Sequence, residues 1–406
     1  MALNAHRLTT RVPAQVILTG CCLSRSAGGP FESVSGLARS LTNDTPTTVH
    51  VVGTYADPSE WPRDRIQWPA EPLTAMPSHG LWSASALYRA VHSVLARSGP
   101  ALVHGQGLWD ASSVALAMLA HDSTVPMVVS PRGMLEPWAL AHRRTKKTIA
   151  WHLWQKRVLQ SATLLHATSA QEAASIRAAG LRNPIAVIPN GVGIPTMTEA
   201  ALAPSRHTGR GSRRCIYLSR IHEKKGLPLL LRAWSALRPP GWTLDIAGFG
   251  EETYVASIMH LIRELDCPSI QFVGEKSGDA KVDFLKGAHL FVLPSYSENF
   301  GVAVAEAMAH AIPVIATHGT PWGVLADKRL GWWVPASTDA IYDALKEATR
   351  LAADELHGMG CRARHYAADT FSWTGVARSM AACYNWVCSG GPLPDPILLD
   401  GMRIVT

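Results

Sequence analysis

The chain has 406 residues, 47% of them apolar and 17% charged, which is enough hydrophobic material for two domains of roughly 150 to 200 residues each and excludes a disordered chain. A net charge of +7 suits an anionic partner without choosing among nucleic acid, a membrane surface and a phosphorylated substrate. No apolar run reaches the roughly 20 residues needed to cross a bilayer, and the opening MALNAHRLTTRVPAQVILTG lacks a signal-like stretch, so a cytosolic protein is expected. The seven cysteines are odd in number and show no paired spacing, as reduced thiols would.

Residues 15–19 read as a short strand, followed by a small-residue loop over 20–30 and a helix near 31–41. Gly28 and Gly29 let the backbone approach a ligand at this first strand-to-helix turn, although a glycine pair is also an ordinary turn. The dinucleotide fingerprint GxGxxG is absent, which argues against a nicotinamide enzyme. A strand at 49–52 precedes a Pro- and Trp-rich irregular stretch over 58–77, and a helix near 81–96 leads to a strand at 101–103. His104 and Gln106 follow at its carboxyl edge and are expected to line a cleft, the alternative for His104 being a satisfied structural histidine. The strand at 126–130 ends at Arg132, whose guanidinium could bind a phosphate or an acceptor group bidentately. Residues 138–159, WALAHRRTKKTIAWHLWQKRVL, predict a basic helix flanked by tryptophans. Such a helix can rest on an anionic bilayer as a peripheral contact, or can simply be a solvated face with its tryptophans in the core. No nucleic-acid module accompanies the patch. After a strand at 164–168, SAQE (169–172) reads as a helix cap with a capping-box Glu172. The strand at 185–188 ends in PNGV, and about 193–212 is linker-like.

A fresh strand–helix alternation begins at 215–218. Arg220 and Lys225 follow it, and can bring two cations to one diphosphate. The strand at 242–247 turns sharply at Gly248 and Gly250, and that at 270–273 ends at Gly274. Residues 290–293, closed by Pro294, read as a buried parallel strand; a polar turn over 295–299 and a helix running from Gly301 to just before Pro313 come next. The amides of Asn299, Phe300 and Gly301 then lie at a helix N-terminus that attracts phosphate. Glu306 stands in an otherwise small and apolar helix, VAVAEAMA, so it is expected to be enclosed and to meet a donor.

Glu298 and Glu306, with seven residues between them and Asn299-Phe300-Gly301 inside, resemble the Glu-x7-Glu signature of the family 4 retaining glycosyltransferases. The resemblance is strong over about 215–325 and rests on short pieces such as SPRGML and PNGV in the first half. It implies the GT-B fold, two Rossmann-like doubly wound α/β parallel-sheet domains facing a cleft: residues 1–190, an acceptor-binding domain; 191–370, a nucleotide-sugar-binding domain; and 371–406, a terminal helix crossing back to the first. It implies that Glu298 contacts donor-sugar hydroxyls, that Glu306 holds the ribose, and that Arg220 and Lys225 clamp the diphosphate. Gly248, Gly250 and Gly274 would lie near the phosphates and base, with Gly28 and Gly29 opposite. Relatives carry a second His where this chain has Gln106 and a catalytically important His near the place of Arg132, so a catalytic part for Arg132 departs from the pattern.

The implied reaction is retaining transfer of a hexosyl group from a nucleoside diphosphate sugar to a saccharide acceptor, lipid-linked as in exopolysaccharide or O-antigen assembly at the inner membrane face. No Asp-x-Asp or His/Cys cluster suggests a metal, and no cofactor is expected. A transferase with a soluble acceptor, a sugar-nucleotide 2-epimerase and a non-catalytic nucleotide-sugar-binding protein remain alternatives, separable by turnover with free sugar, turnover without acceptor, and no turnover at all.

Overall fold

A computed structural model of the chain describes residues 15–69, 73–98, 101–122, 124–196 and 213–404, so most of the expected linker lies outside the described residues. The chain divides into two compact units, residues 1–188 with 376–406, and residues 189–375. Each unit has its own hydrophobic core. Among the described residues no helix is long and apolar enough to cross a membrane.

The first unit is built on strands β1 (Gln15–Gly20), β2 (Thr48–Tyr55), β3 (Leu73–Pro77), β4 (Ala101–Gln106), β5 (Met127–Ser130), β6 (Leu164–Ala167) and β7 (Ile185–Val187). The second carries β8 (Arg213–Leu218), β9 (Trp242–Ala247), β10 (Ile270–Gly274), β11 (Leu290–Leu293), β12 (Val314–Thr317) and β13 (Gly331–Val334). A last short strand, β14 (Ile397–Leu398), returns to the first sheet and pairs antiparallel with β7. The first sheet runs β14-β7-β6-β5-β4-β1-β2-β3, the second β10-β9-β8-β11-β12-β13, and every other pairing is parallel. The second order is that of a doubly wound sheet, whose direction reverses between the strand that starts it and its fourth. Here those strands are β8 and β11. The equivalent reversal in the first sheet falls between β1 and β4.

The interior strands are apolar runs because helices cover both faces; MVVS of β5 and LLHA of β6 are buried throughout. Two segments differ from expectation. The stretch 58–77 contains a short helix, Trp61–Arg65, and the edge strand β3, which tolerates Pro77 because an edge leaves one row of backbone groups unpaired. Residues 138–159 do not form one basic helix. Pro137–Ala141 is a separate short helix, the chain breaks at Arg143, φ 51°, and from Arg144 to Ser161 it is helical throughout, with a π-helical turn at Trp151–Gln155. Trp154 is half-buried and donates to Ser113 Oγ at 3.2 Å, so it packs into the unit instead of lying on an outer face.

Candidate functional site

At the β8–β11 reversal of the second unit, two loops lie side by side. The first leaves β8, and Ile221 N donates to Phe249 O at 2.7 Å. Glycine is required where the loop touches its neighbours: a Cβ at Gly248 would stand 2.0 Å from Ser219 O, and one at Gly250 2.1 Å from Ile221 O. Tyr217, buried within β8, donates its hydroxyl to Arg220 O at 3.1 Å and so props the loop from below. The Arg220 side chain is exposed. A turn at Glu223–Lys225 ends at Gly226, whose φ of 62° and close approach to Pro294 O admit no side chain.

The second loop leaves β11. Tyr296 N donates to Lys224 O at 2.8 Å, which ties it to the first, and Glu298 N donates to Gly319 O at 2.7 Å. Thr317 Oγ1 donates to Ser295 O, and Trp322 Nε1 to Phe300 O at 2.6 Å, so the segment after β12 holds this loop along its length. Phe300, Trp322 and Phe371 pack ring against ring beneath it. Lys225 is thereby brought into an ion pair with Glu298, whose Oε1 also accepts from Ser295 Oγ at 2.8 Å. Burial by itself would raise the Glu298 carboxyl; the adjacent Lys225 ammonium and the Ser295 hydroxyl outweigh it and hold the group below the usual carboxylate range. Oε2 takes no hydrogen bond among the described residues. Gly301, at φ 79°, then turns the chain into the helix Val302–Ala309.

Glu306 is not enclosed. It lies on that helix about one-fifth exposed and pairs with Lys281 of the helix Gly278–Lys286 at 2.7 Å. Its donor therefore comes from a neighbouring helix in the same unit. Gly274, at φ 71°, has nothing within 4 Å of a Cβ position.

In the first unit, β4 extends through Gln106, so His104 lies inside a strand and is fully buried, which corrects its expected place on a cleft wall. Its Nδ1 meets Tyr384 OH and its Nε2 meets Ser130 Oγ, both at 2.7 Å; Ser130 Oγ meets His166 Nδ1 at 2.7 Å, and His166 Nε2 meets Ile188 O at 2.8 Å. The directions follow from the last link. A carbonyl can only accept, so His166 carries its proton on Nε2, its Nδ1 accepts from Ser130, Ser130 accepts from His104, and His104 accepts from Tyr384. Burial, with Arg132 adding repulsion, pushes His166 down to about 3 and His104 well below its ordinary value, so both rings are neutral. Gln106 is 3% exposed and accepts from Arg132 Nε and Nη2 at 2.9 and 2.7 Å. Arg132 stands at φ 57° in a loop anchored by Glu172, which accepts from Gly133 N at 2.6 Å and Thr168 N at 2.7 Å. Ser169 caps the following helix as expected, its hydroxyl accepting from Glu172 N at 3.1 Å, and the Glu172 carboxylate also ties two loops together. Gly28, at φ 67°, and Gly29 open the helix Gly29–Asp44 after a loop pinned by Asp64, which accepts from Arg25 N at 3.0 Å.

Residues 205–365 match the family of glycosyl transferases group 1, and residues 28–191 match the glycosyl transferase 4-like domain. The chain belongs to the family 4 type of GT-B glycosyltransferases. Among curated proteins the chain is 31% identical over 177 residues to a glycosyltransferase from Salmonella typhimurium named for colanic acid biosynthesis, covering 41% of this chain and 43% of that one. It is 29% identical over 183 residues to D-inositol 3-phosphate glycosyltransferase of Mycobacterium tuberculosis, covering 42% and 36%. The matched stretches span less than half the length of both. Among solved structures, sucrose-phosphate synthase of Thermosynechococcus elongatus aligns over 93% of this chain and all of that one, at a TM-score of 0.76 and 21% identity. Anabaena HepE in complex with UDP-glucose aligns over 91% and 98%, at 0.70 and 19%. At these identities the likeness shows the fold.

Within the chain, Lys225, Glu298, Asn299, Phe300 and Gly301 come together at one strand reversal, with Arg220 on the same loop as Lys225 and Gly248 and Gly250 on the neighbouring loop after β9. Glu306 lies one helix further on. Arg132 and Gln106 meet each other in the first unit, and His104 belongs to the buried chain of hydrogen bonds. Tyr217 and Lys281 were missed, and Glu172 was read only as part of a helix cap. A tyrosine inside an apolar strand needs a partner for its hydroxyl, and that alone could have flagged Tyr217.

Proposed function

We propose that the protein transfers a hexosyl group from a nucleoside diphosphate sugar to a lipid-linked saccharide hydroxyl with retention at the anomeric carbon, in the assembly of a bacterial surface polysaccharide. The observation that carries the reading is the Lys225–Glu298 pair at the β8–β11 reversal. An ammonium has three hydrogens. Lys225 spends one on Glu298 and keeps two for a diphosphate oxygen, while Glu298 Oε2 can accept from sugar hydroxyls. Arg220 supplies a second cation to the same diphosphate, and the helix starting at Val302 adds the partial positive charge of its N-terminus. Charge that builds on the leaving diphosphate is thereby compensated without a divalent metal. No second carboxylate is placed as a nucleophile near Glu298 in this reading, so the acceptor hydroxyl attacks on the face the diphosphate leaves and passes its proton to a donor phosphate oxygen. Glu306, shared with Lys281, holds the ribose hydroxyls. The UDP-glucose complex of Anabaena HepE supports a uridine nucleotide as the first donor to try, and the Salmonella relative's name supports the polysaccharide role.

Thermal-shift measurements with UDP-, GDP-, ADP- and dTDP-sugars should show stabilisation by one class of donor. Glu306→Ala should weaken that binding by about tenfold, whereas Glu298→Ala should lower kcat by about a hundredfold or more with donor affinity largely kept. Turnover should survive EDTA. Wild-type turnover in both variants would remove the assignment.

A further inference from the structure

The first unit contains a cavity of about 660 Å³ that the donor chemistry does not use. Its walls are mostly apolar: Trp109, Leu135, Leu140 and Trp151 line it, with the two indoles 6.3 Å apart. Arg144 and Lys147 also line it. They stand three residues apart on the helix Arg144–Ala150, so their side chains share one face and put two positive charges on one wall. The Lys147 ammonium lies 6.0 Å from the centre of the Trp109 ring. Burial and the Arg143 charge lower the Lys147 ammonium below its ordinary value, a cost that an anion placed beside it would relieve.

Two of the lining residues lie close in sequence to the polar corner of this unit. Trp109 comes three residues after Gln106 and is held at φ 69°, a conformation a bulky side chain rarely adopts. Leu135 comes three residues after Arg132, and Met134 Sδ between them accepts from Leu108 N at 3.0 Å. Beyond the cavity, the same broken segment exposes Trp138, Ile149 and Leu153, the last by 70%. Apolar walls, two cations on one side and an exposed apolar margin together fit an amphiphile whose chain is apolar and whose head is an anion. A free saccharide would find few hydrogen-bonding groups here, and a nucleotide base would find none arrayed to read its edge.

We propose that this cavity takes the chain of a single-chain lipid phosphate, its phosphate on Arg144 and Lys147, and so presents the attached saccharide beside Gln106 and Arg132. The inference rests on the lipid-linked acceptor proposed above and names the surface that recognises the lipid. The occupant is the acceptor's own lipid, since two cations beside one apolar cavity match a single phosphate head on a single apolar chain.

The test uses the full chain and farnesyl monophosphate in detergent-free buffer, with farnesol, inorganic phosphate and phosphatidylglycerol vesicles alongside. Calorimetry should show saturable binding of farnesyl monophosphate, with farnesol and inorganic phosphate each weaker by about tenfold or more. Ala179 also lines the cavity. Ala179→Phe, which fills it, and Arg144→Glu, which reverses an exposed wall charge, should each weaken binding by a similar factor while leaving stabilisation by the donor sugar nucleotide unchanged. Wild-type affinity in both variants overturns the proposal. So does binding that the vesicles reproduce and Ala179→Phe leaves intact, because that describes contact with a bilayer. Stabilisation by donor without farnesyl monophosphate binding sinks this inference alone; no stabilisation by any donor sinks the functional reading beneath it.

Discussion

Lys225 can meet a phosphate only if the chain on either side of it is held still, and Gly226 does that holding. A Cβ at Gly226 would stand 2.1 Å from the carbonyl oxygen of Pro294, and its φ of 62° is costly for any L side chain. Gly226→Ala is therefore expected to lower stability by about 2 to 4 kcal/mol and to weaken donor binding along with it. Gly274 offers the contrast: its φ is 71° but nothing lies within 4 Å of a Cβ, so Gly274→Ala should cost only the backbone strain, about 1 kcal/mol. Urea midpoints of the two variants compare them directly, and equal losses would mean that the contact with Pro294 does not matter. Glu306 teaches a related lesson. Its apolar neighbours suggested enclosure, but a helix has several faces, and the one bearing Glu306 looks toward Lys281 and partly toward solvent.

Among the elements, β4, β5 and β6 share the row His104, Ser130 and His166, one polar side chain from each strand. The row ends on Ile188 O at one side and on Tyr384 at the other. Its polarity works only with both rings neutral. An unfolded histidine titrates near 6.5 and folded His166 near 3, so between these values the unfolded chain binds more protons. The stabilisation is thus complete above about pH 6.5 and is lost as pH falls below it, at about 1.4 kcal/mol per pH unit for each such ring. Urea denaturation at pH 7 and pH 5 should show this loss, and His166→Asn should reduce it. A pH dependence unchanged by His166→Asn would mean that His166 is not the group responsible. The segment 138–159 also belongs to this scale. Its cations other than Lys147 are exposed as a solvated helix demands, but the break at Arg143 and the π-helical turn rotate Trp151 toward a cavity and Trp154 toward Ser113.

Over the whole molecule, the two sheets have separate cores, and the donor machinery inferred here lies in the second. A donor at about 100 times its Kd adds about 2.7 kcal/mol to the state that binds it. Amide exchange should slow at residues 219–226 and 293–301 when the donor sugar nucleotide is added, because both loops lie at the β8–β11 reversal. Protection confined to the first sheet would place the nucleotide elsewhere.

The alternation of short apolar runs with helical stretches was enough to read two doubly wound sheets, since strands buried on both faces must be apolar throughout. The spacing of Glu298 from Glu306, and of Arg220 from Lys225, was equally legible, because each pair lies on one loop or one loop and its helix. Partnerships between distant segments were not. Lys225 meets Glu298 across 73 residues, Lys281 meets Glu306 across 25, and Tyr384 meets His104 across 280. A side chain's neighbours in sequence limit where it can point but do not say which strand will lie beside it; sheet order decides that, and with it whether a histidine at a strand end faces a ligand or a tyrosine.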